Sequence, residues 1–157
     1  MAGIFFSDGN LFLCGWSEHK KKITGIGGKK ENNELPYETA LRETLEELFE
    51  FHNIPFELIN ELNASLRFDN VLSSKSYTNF IMSFHDLLLI LNIINKYNLQ
   101  SKVYKKLPRN LNELIHERQI LNNNIEFSKL YFFPLKENPD FDFSLNLDIS
   151  RYLKTLN

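Results

Sequence analysis

The stretch from Pro36 to about His52 constrains the fold most, because it suits only a helix with two opposed faces. At 100° per residue, Tyr37, Leu41, Leu45 and Leu48 fall on one side. Glu43, Glu46, Glu47 and Glu50 fall within an arc of about 100° on the other. Pro36 suits the first helical position, Asn53 can take a left-handed C-cap, and Pro55 blocks continuation. The apolar stripe needs a core to pack on. The acidic stripe needs another explanation. Glu43/Glu47 and Glu46/Glu50 are like-charge i,i+4 pairs, each costing roughly 0.2–0.5 kcal/mol. The segment has no lysine and a single arginine, Arg42. A solvated face mixes signs, whereas a hard cation such as Mg²⁺ draws carboxylate oxygens together.

Around this helix the pattern alternates between strands and helices. Gly3–Phe6, Ser7-Asp8-Gly9-Asn10 and Leu11–Cys14 have the signature of a β-hairpin. Ile23–Ile26 reads as a short strand, followed by Gly27-Gly28, which can take backbone angles closed to other residues. Leu66–Leu72, Tyr77–Phe84 and Leu130–Phe133 are further strands, the last ended by Pro134. Helical periodicity marks Asp86–Tyr97, Leu111–Leu121 and Phe143–Leu156. Asn122-Asn123-Asn124 and the pair Asp140 and Asp142 around Phe141 read as polar turns.

The expected architecture is α/β, with helices on both faces of a sheet. A chain of 157 residues allows one domain, 1–157, with a largely helical insertion at about 85–121. A net charge of −2 and a pI near 6.1 argue against a chain built around nonspecific nucleic-acid binding. The lone cysteine, Cys14, sits in an apolar run and reads as a buried small hydrophobe, so no intramolecular disulfide forms. Without a signal-peptide pattern or a span long enough for a bilayer, a cytoplasmic, non-membrane setting is expected. The apolar run Phe80–Ile94 is broken by His85, Asp86 and Asn92 and reads as core.

The spacing then narrows the chemistry. Gly28, five residues, Glu34, seven residues, Arg42-Glu43, two residues and Glu46-Glu47 resemble the Nudix box, G-x5-E-x7-R-E-U-x-E-E-x-G-U, with U aliphatic. All six glycine and polar anchors through Glu47 match. Thr44 stands where an aliphatic residue is usual, Phe49 replaces the glycine, and Glu50 replaces the last aliphatic residue. None of these changes removes a metal-type carboxylate, and Asn53 would end the helix about one turn later.

The resemblance implies a Nudix-type α/β/α sandwich with a mixed sheet between helices, and an acid-anhydride hydrolase that uses Mg²⁺ or Mn²⁺. It implies Glu46 and Glu47 as the main metal ligands, with Glu43 in the metal cluster or positioning its water. A carbonyl at or beside Gly28 would join the shell, and a Glu34–Arg42 pair would tie loop to helix. The metal would screen diphosphate charge, polarise a phosphoryl oxygen and help generate the attacking hydroxide, while a carboxylate takes the proton.

Outside the box, Glu117 is the candidate additional base, against the plainer reading of an exposed helix glutamate. Lys29 and Lys30 are candidate phosphate contacts, against solvated loop lysines. The four histidines lack metal-ligand spacing. Three functions follow. The first is hydrolysis of a small nucleoside diphosphate linked to another group. The second is mRNA decapping on capped RNA, for which Lys102, Lys105, Lys106 and Arg109 supply a basic cluster. The third is an inactive binding or regulatory domain, whose mark would be lost metal glutamates; here they are present. A homodimer is left open.

Overall fold

The structure is a computed structural model that describes residues 1–119, 124–136 and 141–156. In chain order the strands are β1 Ala2–Phe6, β2 Leu11–Ser17, β3 Lys22–Thr24, β4 Ile26–Gly28, β5 Asn70–Ser73, β6 Thr78–Met82 and β7 Phe127–Pro134. The helices are α1 Pro36–Phe49, α2 Phe56–Ser65, α3 Phe84–Ile94, α4 Leu111–His116 and α5 Phe143–Thr155.

A mixed sheet runs in the order β4-β1-β6-β5, with β1 and β6 parallel and the other pairs antiparallel. A second, antiparallel sheet runs β3-β2-β7. Side chains alternate across a strand, and β1 shows what this does. Ala2, Ile4 and Phe6 join a core with Leu41, Leu45 and Leu48 of α1 and the apolar faces of α2 and α3. Phe5 points the other way, into a second core with Phe12, Phe141 and Leu145, Ile149 and Tyr152 of α5. The mixed sheet therefore lies between helices, and the fold is the α/β/α type expected. Each buried leucine of α1 contributes about 1.5–3 kcal/mol, several times the like-charge repulsion on its acidic side. Packing holds that repulsion in place.

Several local expectations change. The turn at Asp8–Asn10 forms, with the Asp8 carboxylate accepting from the Asn10 and Leu11 amides and Gly9 at φ 92°. The two strands it joins nevertheless splay into separate sheets, with an isolated bridge at Ser7–Phe12. Both edges of β1 are already taken by β4 and β6. The expected single strand at Ile23–Ile26 breaks at Gly25 into β3 and β4.

Helix α1 stops at Phe49, because Glu50 itself takes the left-handed cap at φ 51°; Asn53 turns later, also at positive φ. Helix α2 was not expected. Strand β5 starts later than expected, β7 starts at Phe127, and α4 ends at His116. Asp140 and most of the Asn122–Asn124 turn lie outside the described residues, as does the end of the expected Leu111–Leu121 helix. Among the described residues, no helix is long and apolar enough to cross a membrane. Cys14 is fully buried, and burial pushes its thiol pKa up, consistent with a packing role.

Candidate active site

Helix α1 lies across β1 and β4, and β4 brings Gly27 and Gly28 beneath its acidic side. Gly27 sits at φ 152°, and a Cβ there would overlap the Tyr77 hydroxyl and crowd the backbone of β1. At Gly28 a Cβ would overlap the Glu43 carboxylate. The two glycines thus leave room for carboxylates to lie directly on the strand.

Glu43, Glu46, Glu47, Glu50 and Glu126 line one concavity of about 350 Å³, together with His19 and His52. Glu47 is the deepest, at 9% exposure, and its Oε2 accepts the Gly27 N–H at 3.0 Å. Burial raises its pKa well above the ordinary carboxylate value, and the charges of Glu43, Glu126 and Glu46 add to the rise. Burial also raises Glu43, with Arg42 opposing and Glu46 adding. Burial raises Glu50 as well, against the hydrogen bond that its Oε1 accepts from the Glu126 N–H at 2.7 Å.

Arg42 pairs with two carboxylates of this cluster. Its Nε donates to Glu34 Oε1 at 2.6 Å, and its Nη1 donates to Glu43 Oε1 and Glu46 Oε2 at 3.1 Å each. Its Nη2 donates to the Lys29 carbonyl at 2.7 Å. Burial works against its charge, but Glu34, Glu43 and Glu46 overcome this and raise its pKa. Glu34 also accepts the Thr39 hydroxyl at 2.8 Å, and despite its burial the Arg42 bond lowers its pKa. The loop and the helix are bonded through this pair.

The described residues hold no group of three His, Cys, Asp or Glu side chains already disposed around a metal ion. The donor set fits a divalent cation in type: hard oxygens, crowded, with raised pKa values and too little positive charge beside them. Arg42 holds Glu43 and Glu46, and Gly27 holds Glu47. Those are the contacts a bound cation would compete with.

Other candidates lie elsewhere. Glu117 is exposed at the C-cap of α4 and does not line the concavity. Lys29 and Lys30 have exposed side chains that do not line this concavity, and the Lys29 carbonyl enters the network. Lys102, Lys105, Lys106 and Arg109 are all exposed between α3 and α4.

Two residues outside the motif matter to this site. Glu126, just before β7, contributes a fifth carboxylate. Arg118 reaches the end of α1, donating to the Glu47 carbonyl at 3.1 Å and to the Leu48 carbonyl. The same guanidinium donates to the Phe127 carbonyl and stacks on Tyr104. Nothing in the local sequence around either residue marks a bond to a helix some seventy positions earlier.

No protein-family model matches the chain, and no curated protein matches it. Among solved structures it is similar to a hydrolase of the NUDIX family from Clostridium perfringens, with a TM-score of 0.44 and 16% identity. That match covers 99% of this chain and 96% of the other.

Proposed function

We propose that the chain is a Nudix-type, metal-dependent hydrolase that cleaves a phosphoanhydride bond in a nucleoside diphosphate linked to another group. One observation supports this above the rest: five carboxylates share one concavity against a glycine strand, and Arg42 is bonded to only two of them, Glu43 and Glu46. An inert surface gains nothing from burying Glu47 at this electrostatic cost.

Glu43, Glu46 and Glu47 would hold Mg²⁺ or Mn²⁺. When bound, the ion screens the diphosphate charge and polarises the phosphoryl group. The residues of the chain do the rest. Gly27 fixes the Glu47 carboxylate through its N–H. Arg42 sets the side chains of Glu43 and Glu46 and ties them to the loop through Glu34. Glu43, beside Glu46 on the same arginine, would either join the metal shell or position the attacking water. Glu117 has no part in this scheme.

The test is phosphate release over a panel of nucleoside diphosphate derivatives and capped RNA, with Mg²⁺ or Mn²⁺ and with EDTA. Turnover of at least one small compound that EDTA abolishes is expected. Turnover confined to capped RNA would favour decapping, and equal turnover without metal would reject the mechanism.

A further inference from the structure

Beside the carboxylate concavity lies a second cleft of about 410 Å³, a volume within the range of small-ligand sites. Glu47 and Glu126 line both, so the two spaces adjoin at these side chains. A substrate with its diphosphate at the carboxylates would place its attached nucleoside here. The cleft differs in character from the acidic concavity. Phe143 stands 74% exposed at its rim with Leu147 beside it, and Lys20, paired with Asp142, and Arg151 stand among the carboxylates of Glu47, Glu126 and Asp148. An exposed aromatic ring next to a polar floor suits a planar base.

One carboxylate of the cleft wall has a buried partner behind it. Asp148, from the second turn of α5, lines the cleft and accepts a hydrogen bond from the side chain of Asn79. Asn79 sits in β6 between Gly3 of β1 and Leu72 of β5 and is only 3% exposed. Among the described residues its Oδ1 has no partner, so the amide is held there chiefly by the strand and by Asp148. A carboxylate accepts at two oxygens and can take several hydrogen bonds. With Asn79 using part of that capacity, the remainder is available to a ligand.

We propose that this cleft binds the base of the substrate and that Asp148 selects guanine, through the adjacent N1–H and N2–H donors of that base. Adenine offers an acceptor at N1 where guanine offers a donor, so the same carboxylate repels that position. Burial raises the Asp148 pKa to about 6, with Arg151 opposing, which leaves the group ionised and accepting at neutral pH. The inference rests on the nucleotide-hydrolase reading for its choice of ligand, but its test does not need hydrolysis.

GMP and AMP contain no anhydride bond, so their binding can be measured by calorimetry in Mg²⁺ whether or not the protein is an enzyme. Wild type is expected to bind GMP at least tenfold more tightly than AMP. Asp148→Asn should remove most of that preference, weakening GMP and relieving the repulsion of AMP. Phe143→Ala should weaken both alike, because stacking does not distinguish them. Equal affinities in wild type, binding of neither nucleotide, or a preference that survives Asp148→Asn would each overturn the proposal. A guanine preference without any turnover would keep the cleft assignment and reject the hydrolase instead.

Discussion

Glu47 bears the largest electrostatic burden in the molecule, and two predictions turn on it. Its carboxylate is buried and accepts the Gly27 N–H, and a glutamine can keep that bond through its carbonyl oxygen. Glu46 is 40% exposed at its side chain and paired with Arg42. Glu47→Gln should therefore stabilise the metal-free protein more than Glu46→Gln, which should change stability by only a few tenths of a kcal/mol. Both should lower turnover by about 10²-fold or more, since a residue that places charge at the reacting phosphorus acts mainly in the transition state. Thermal melts and steady-state kinetics on the same preparations separate the two effects. A variant with near-wild-type turnover would reduce its glutamate to a surface charge.

The pH dependence has a definite sign. The folded-state pKa of Glu47 is raised by burial, so the native chain holds this proton more tightly than the unfolded chain does. Stability from this group is fully present below the unfolded value, near 4.5, and is lost as pH rises from there through the raised folded value. We expect metal-free wild type to lose stability relative to Glu47→Gln over that window. Urea denaturation of both proteins between pH 4 and 8 measures it, and a difference that does not vary with pH would contradict the burial of a charge.

At the scale of elements, α1 depends on its C-terminal end. The last turn contains no basic residue, yet its carbonyls carry the negative end of the helix dipole. Arg118 answers from outside the helix, bonding the Glu47 and Leu48 carbonyls, while the Ser101 hydroxyl bonds that of Phe49. A lysine provides one point charge in place of a planar fork and cannot serve both ends of this network. Arg118→Lys should cost about 1–3 kcal/mol in urea unfolding; a change within experimental error would show that the carbonyls find other partners.

Elements with strong local signals were legible in the sequence. The leucine stripe of α1, the turn around Gly9 and the α5 pattern all emerged as expected. Helix α2 did not, because only Leu58 and Leu62 are buried between polar residues, too narrow a stripe to stand out. The end of α1 was misplaced because no periodicity shows Phe49 and Phe51 stacking at 5.2 Å with Glu50 turned left-handed between them. Within the site, the shared acidic face of α1 could be read from periodicity, whereas its relation to Gly28 came from the resemblance to the Nudix box. Glu126 and Arg118 could not, since only the tertiary fold brings β7 and the segment after α4 to α1.

Across the whole molecule, the mixed sheet separates two cores, and the acidic concavity opens where α1, β4 and the segment before β7 meet. The helices on either face fix the backbone that crowds the carboxylates. Arg42 bonds Glu43 and Glu46, while the Gly27 N–H bonds Glu47. The central claim is that this crowding exists to take up a divalent cation. Its most direct test is a titration of Mn²⁺ into metal-free protein, with free ion followed by electron paramagnetic resonance. Saturable binding to wild type that weakens sharply in Glu47→Gln is the expected result; Mn²⁺ uptake that is absent, or equal in the two proteins, would contradict it.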